Sequence, residues 1–376
     1  MTAPHLFQSF TIRGVVMPNR IVLAPMCQYS AKDGFANDWH LVHLGRFAMG
    51  GFGCVMAEAT AVEPEGRITH GDLGLWNDAQ IVPLKQISNF IRNRGSVPAI
   101  QIAHAGRKAS MQRPWNGNGP LNQSDFARGD QPWEIKAPSA IAVDAGYILP
   151  EELSKAEIEQ LVIRFGEATA RADAAGFDVV ETHGAHGYLI ASFLSPITNQ
   201  RHDSYGGDRA GRMRFAIEVA RSMREKLPSH KALFFRVSSV DGAENGWSMA
   251  DTVELAAALR SIGVDVIDCS SGGLTGSSTT QNTKRGLGYQ APFAKETREV
   301  AGIPTMAVGL ILDGPQAEKL LEEGSADLIA IGREALKNPH WGHDAAHSLG
   351  FDHDFGLWPE QSGWWLDKRA KAMNRS

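Results

Sequence analysis

Two rhythms of apolar residues alternate along the chain. Short unbroken apolar runs give way to longer stretches in which apolar residues recur every three or four positions. The first rhythm belongs to strands buried on both faces, the second to helices that bury one face. The runs fall at 20–24, 54–59, 97–102, 177–180, 232–237, 266–271, 304–308 and 327–331. Helical stretches fall at 40–49, 81–93, 155–175, 209–227, 251–262, 293–300 and 314–323. Eight strand–helix units predict a closed parallel (β/α)8 TIM barrel of the α/β class. An open doubly wound sheet fits less well, because no G-x-G-x-x-G follows the first strand. Short strands over 9–24, turning at Met17-Pro18-Asn19, predict an N-terminal β-hairpin. Residues 109–150 are rich in Pro, Gly, Asn and Asp and predict an extended lid or insert loop after the third strand. The chain, 1–376, is read as a single domain with a C-terminal tail over 350–376.

Composition narrows the partners. Of 376 residues, 43% are hydrophobic and 21% charged, which suits a globular protein with a large core. A net charge of -5 gives no reason to expect nucleic acid or an anionic membrane surface. The N-terminal residues carry no basic segment followed by an apolar core, and no run is long enough for a spanning helix. Three cysteines, Cys27, Cys54 and Cys269, fit a reducing cytoplasm and are too few for a four-cysteine iron–sulfur cluster.

The chemistry concentrates past the strand ends, which in this barrel face the active site. Strand four runs into Glu181-Thr182-His183-Gly184-Ala185-His186-Gly187-Tyr188. Two imidazoles can grip a ligand oxygen while a phenol offers a proton. The other strand ends supply Met26 and Cys27, Ala59, Gln101 and His104, Arg236, Ser270 and Ser271, Gly309, Gly332 and Arg333. That inventory is rich in donors and poor in carboxylates. Glycines ending strands seven and eight, with Arg333, suit a phosphate held on backbone N–H groups. Arg236 needs an anionic or carbonyl partner, either a ligand or a salt bridge inside the barrel.

Other chemistries fit these residues less well. His183-x-x-His186 and His40-x-x-His43 resemble metal-ligand pairs, but no third ligand completes either by spacing, and no metal is expected. Nothing adjacent marks an activating base for Cys27 as a nucleophile. Lys108 and Lys295 are the candidate Schiff-base lysines, and neither lies in a desolvating run. A flavin-free lyase or isomerase would need a base carboxylate or lysine at a strand end.

Several motifs together resemble the old yellow enzyme family, in its thermophilic-like, xenobiotic reductase class. They are Pro25-Met26-Cys27-Gln28-Tyr29, Glu58-Ala59-Thr60-Ala61-Val62, Gly66-Arg67-Ile68-Thr69, Gln101 through Lys108, His183 through Tyr188, Arg201 through Gly207 and Ile331-Gly332-Arg333. The resemblance implies non-covalent FMN, NADPH or NADH as hydride donor, and reduction of the C=C bond of small activated alkenes: unsaturated carbonyl or nitro compounds. It implies that Gly309, Gly332 and Arg333 hold the FMN phosphate and that Gln101 and Arg236 contact the pyrimidine edge. Pro25, Met26 and Ala59 would line the ring, and Cys27 would tune its potential. His183 and His186 would bind the substrate oxygen and Tyr188 would donate the proton. Tyr29 and Lys108 complete the expected substrate contacts. A homodimer or homotetramer is expected, with Trp364 or Trp365 near the neighbouring site. A dienoyl-CoA reductase is disfavoured, since that type carries an iron–sulfur cluster and further domains.

Overall fold

The computed structural model describes residues 3–275 and 285–373. Met1, Thr2 and the last three residues of the tail lie outside them. Eight parallel strands close on themselves: β1 Ile21–Leu23, β2 Cys54–Ala61, β3 Val97–Ala103, β4 Val179–Gly184, β5 Ala232–Ser238, β6 Val266–Ser270, β7 Thr305–Val308 and β8 Leu328–Ile331. Closure is made by β8 pairing β1 and β1 pairing β2. The helices between them are α1 Asp38–Ala48, α2 Ile81–Asn93, α3 Lys155–Ala174, α4 Arg209–Lys226, α5 Met249–Ser261, α6 Ala291–Ala301 and α7 Gly314–Glu322. After the last strand come a short helical turn, Arg333–Lys337, and the helices α8 Trp341–Ser348 and α9 Glu360–Met373. No helix among the described residues is long and apolar enough to cross a membrane.

Local signals explain why these segments take these forms. On α2 the buried positions Leu84, Ile87, Ser88 and Ile91 recur at helical spacing. Ser154 caps α3 and Ser248 caps α5, each in a reciprocal capping box with Glu157 or Asp251. Gly302 ends α6 in the left-handed conformation. The strands read as unbroken apolar runs because each buries both faces. One face packs on the helix layer, through side chains such as Phe235, Ile267 and Ile329. The other fills the barrel with Val22, Met56, Ala99, Val179, Phe234 and Met306, among others.

Two expectations are corrected. The N-terminal strands Phe10–Ile12 and Val15–Met17 pair antiparallel, but they turn at Arg13 and Gly14. Residues 18–20 are instead the bend into β1. Val15 and Met17 then join the interior cluster, so the hairpin plugs one end of the barrel. The insert after β3 is not a bare loop. It holds a helical turn at Gln123–Ala127, and Lys136–Ala137 pairs with Glu151–Glu152. Lys136 ties this pair to Glu151 and Glu157 at 2.8 and 2.9 Å. A segment this long stays ordered only by supplying such partners for its own backbone.

Candidate active site

The C-terminal mouth of the barrel gathers the aromatic and imidazole groups. The His183 ring lies 5.2 Å from that of His186 and 5.0 Å from that of Tyr188, each in an edge contact. Burial, then the charges of Arg236 and Lys108, holds the His183 imidazole well below its ordinary range. The same causes, led by burial, depress His186. Both rings are therefore neutral. Burial pushes the Tyr188 phenol up, so its proton stays in place.

Hydrogen bonds fix the rings. His183 Nδ1 accepts from the Ala185 amide at 3.4 Å, which assigns its proton to Nε2. His186 Nε2 meets Ser270 Oγ at 2.7 Å, and its amide donates to Ser238 Oγ at 2.9 Å. His186 has φ 60°, a left-handed backbone that non-glycine residues rarely adopt. Gly187 follows at φ 71°, and a Cβ there would lie 2.3 Å from the Gly273 carbonyl oxygen. The loop after β4 and the loop after β6 thus touch backbone to backbone.

Lys108 closes this corner. Its Nζ donates to the carbonyls of His186 and Gly273 at 3.0 and 2.9 Å, and lies 5.1 Å from the Tyr188 ring centroid. Its hydrogen bonds go to backbone and its charge faces the proton-bearing phenol. Burial, then Arg107, lowers its ammonium to about 8. Lys295 sits exposed on α6.

Cys27 and Tyr29 face Tyr188 across a small apolar cluster with Ile68, Ala105 and Met111. Burial, then Asp72 and Glu58, holds the Cys27 thiol well above its usual range, so it is not a thiolate. Tyr29 is left-handed at φ 50°, and Trp115 from the insert meets its ring edge-on at 5.9 Å. Glu58 anchors this strained turn by accepting from the Gln28 amide at 3.0 Å. Its position is a bulge: the β2–β3 register skips it, bringing Ala59 opposite Gln101. Burial pushes its carboxyl up to about 8. Asp72 braces the next loop through the Ile68 and Thr69 amides at 2.7 and 3.0 Å.

The sequence reading found the donors and missed the carboxylates. Glu58, Asp72, Glu181 and Asp268 are all buried near this mouth. The signal was present, since Glu181 precedes His183 by two, and Asp268 precedes Ser270 by two. In a strand that spacing shares one face. Arg236 finds Asp268 at 3.1 Å, the salt bridge that its sequence left open. Gln101 donates to Glu181 at 2.7 Å. His104 turns away to Glu63 at 2.8 Å. The other histidine pair is helical: His40 caps α1 through Asn37, and His43 packs on Phe47.

Beyond β7 and β8 the mouth opens a recess of about 120 Å³, lined by Gly309, Leu310, Gly332 and Arg333 among others. At Gly332 an added Cβ would have only Ala24 and Met26 near it, both at 3.9 Å, so the backbone edge is open. A recess with open glycine backbone and one guanidinium suits an oxyanion. Pro25 and Met26 lie beside it, half-buried. A phosphate recess, an apolar floor and Arg236 deeper in the barrel fit a phosphorylated, flat, electron-accepting cofactor such as FMN.

Comparison with known proteins is consistent across sequence and structure. The model of the NADH:flavin oxidoreductase / NADH oxidase family matches residues 5–350. An NADPH dehydrogenase of Listeria welshimeri is 44% identical over 347 residues, 92% of this chain and 95% of that protein. An NADH:flavin oxidoreductase of Gibberella zeae is 43% identical over 360 residues, 92% of this chain and 86% of that one. Morphinone reductase superposes with TM-score 0.76 at 24% identity, over 93% of this chain and 91% of that one. The old yellow enzyme homologue of Zymomonas mobilis gives TM-score 0.75 at 24% identity, over 95% and 97%. At such identities these two structures speak for the fold alone.

Proposed function

Because this chain belongs to the NADH:flavin oxidoreductase / NADH oxidase family, we propose that it is an ene reductase, reducing the C=C bond of α,β-unsaturated carbonyl or nitro compounds. It is an FMN oxidoreductase of the old yellow enzyme type, served by a nicotinamide donor, as its NADPH dehydrogenase relatives are named. The observation that carries the finer reading is the neutral pair His183 and His186 with the protonated Tyr188 at one mouth.

Bound FMN supplies the hydride that passes from nicotinamide to substrate. The chain's residues do the remaining work. Arg333 and the Gly309 and Gly332 amides would hold the phosphate. Gln101 and Arg236 would meet the pyrimidine edge, while Pro25, Met26 and Ala59 would line the ring and Cys27 would tune it. His183 offers Nε2–H. With Nε2 engaged by Ser270, His186 presents Nδ1, to which we assign the second N–H. Two fixed donors on one carbonyl oxygen draw electrons from the alkene, and being preorganised they cost no reorientation. Tyr188 then gives its proton to the α-carbon, with Tyr29 as a second contact. Lys108 steadies the charge left on the phenol oxygen, its cation facing the ring.

The exposed aromatic helix α9 supports a homo-oligomer. Trp364 and Trp365 are 56% and 68% exposed, and α9 buries only Gly363. A partner's mouth is the surface we assign to them. A reducing cytoplasm suits the three unpaired cysteines.

The test is spectroscopic. Purified protein should be yellow, bleach with NADPH under anaerobic conditions, and regain colour on adding 2-cyclohexen-1-one. Bleaching without recovery would leave the flavin and refute the alkene as substrate. Colourless protein that takes up no FMN would refute the whole reading.

A further inference from the structure

Beneath the histidines the barrel holds a polar layer where its other layers are apolar. Gln101, Glu181, Arg236 and Asp268 stand on β3, β4, β5 and β6, four strands adjacent in the sheet. Arg236 is in register with His183 on one side and Asp268 on the other. Gln101 is in register with Glu181. Glu181 and Asp268 are 0% exposed. Arg236 Nε comes within 3.1 Å of Asp268 Oδ2, yet the two are not aligned as a hydrogen bond. Glu181 Oε2 and both Asp268 oxygens are buried without a hydrogen-bond partner among the described residues.

The charges of this layer do not balance. Two carboxyls face one guanidinium. Gln101 carries no charge. Cys54, which feels Glu181 from β2, is a thiol pushed well above its usual range by burial and so stays neutral. His183 and His186, above, are neutral as well. From β1, β7 and β8 come only apolar side chains such as Val22, Met306 and Ala330. Two carboxylates with one counter-charge in a dry interior do not both ionise.

We propose that Glu181 and Asp268 share one proton while the flavin is oxidised and take up a second when it is reduced, so that this pair sets the charge Arg236 presents to the ring. This rests on the FMN reading above. Reduction delivers two electrons and one proton to the ring and leaves negative charge beside Arg236. The second proton comes from solvent, goes to the carboxylate still ionised, and returns to solvent on reoxidation. Burial is the largest influence and raises both carboxyls; the Asp268 charge raises Glu181 further, while Arg236 opposes protonation of each. The pair titrates as a unit, so the proton belongs to neither residue alone.

The experiment measures the reduction potential of the FMN holoenzyme across about pH 7 to 8.5. Two protons per two electrons change the equilibrium a hundredfold per pH unit, a slope of about 59 mV. The double variant Glu181→Gln/Asp268→Asn keeps the shape of both side chains and leaves no carboxyl to take up the second proton. One proton is then taken up, tenfold per pH unit, about 30 mV. Glu181→Gln or Asp268→Asn alone keeps one carboxylate to take up the second proton and should hold the slope near about 59 mV, a test that stands if the double variant folds poorly; about 30 mV in both single variants would overturn the shared proton. The reduced-minus-oxidised infrared difference spectrum of the wild type should gain a protonated-carboxyl band that the double variant lacks. A wild-type slope of about 30 mV, or no such band, overturns the proposal while leaving the flavin reading intact. A chain that takes up no FMN overturns both.

Discussion

Tyr188 is asked to do one thing, and the demand can be isolated. Its phenol is kept protonated by burial and faces Lys108. Tyr188→Phe should slow alkene reduction about a hundredfold or more, the usual weight of a positioned general acid. Reduction of the bound flavin by NADPH should be nearly unchanged. Single-turnover measurement of the two half-reactions separates these; equal losses in both would remove Tyr188 from the proton-donor role. Glu58 makes a different prediction. Its folded carboxyl is raised to about 8 from an ordinary value of 4.5. The folded state therefore binds the extra proton, and the stability this contributes is full below about pH 4.5 and lost as pH rises through about 8. Glu58→Gln resembles the protonated form at every pH. Its melting temperature relative to wild type should climb between pH 5 and pH 8.5. A constant difference would mean that Glu58 is ionised throughout.

At the scale of elements, strand and helix positions are legible in the sequence. The predicted helix over 81–93 coincides with α2, and the remaining barrel helices and strands differ mainly at their ends. The reason is period: a run buried on both faces and a stripe buried on one leave different patterns. Register and bulges leave no such pattern. The skip at Glu58 moves Ala59 opposite Gln101, and nothing local in 54–61 announces it. Contact between loops is equally hidden. Gly187 and Gly273 lie far apart in the chain, yet a Cβ on Gly187 would reach within 2.3 Å of the Gly273 oxygen. Gly187→Ala also has to hold φ at 71°. It should cost about 1–3 kcal/mol, read as a drop of several degrees in melting temperature. It should also raise KM for the alkene, because the loop after β4 carries His186 and Tyr188. An unchanged melting temperature would show that the two loops part freely.

For the whole molecule, the terminal helix stands apart, burying only Gly363 along its length. Trp364 and Trp365 lie outside any core of the single chain. On the proposed homo-oligomer, truncation after Leu357 should yield a monomer with changed alkene kinetics, as light scattering and steady-state rates would report. Unchanged assembly and rates would assign α9 to its own chain. By itself the sequence determined the barrel, the order of its strands and the donors at its mouth. Those follow from burial period and from residues adjacent in the chain, which local spacing records. Only the tertiary structure decided that Arg236 meets Asp268, that Lys108 spends its hydrogen bonds on two carbonyls, and that four buried carboxyls surround a mouth that reads as carboxylate-poor. These pairings join different strands and loops. They are chosen by which side chains closure brings together in a dry interior, where an unpartnered charge is too costly to leave alone.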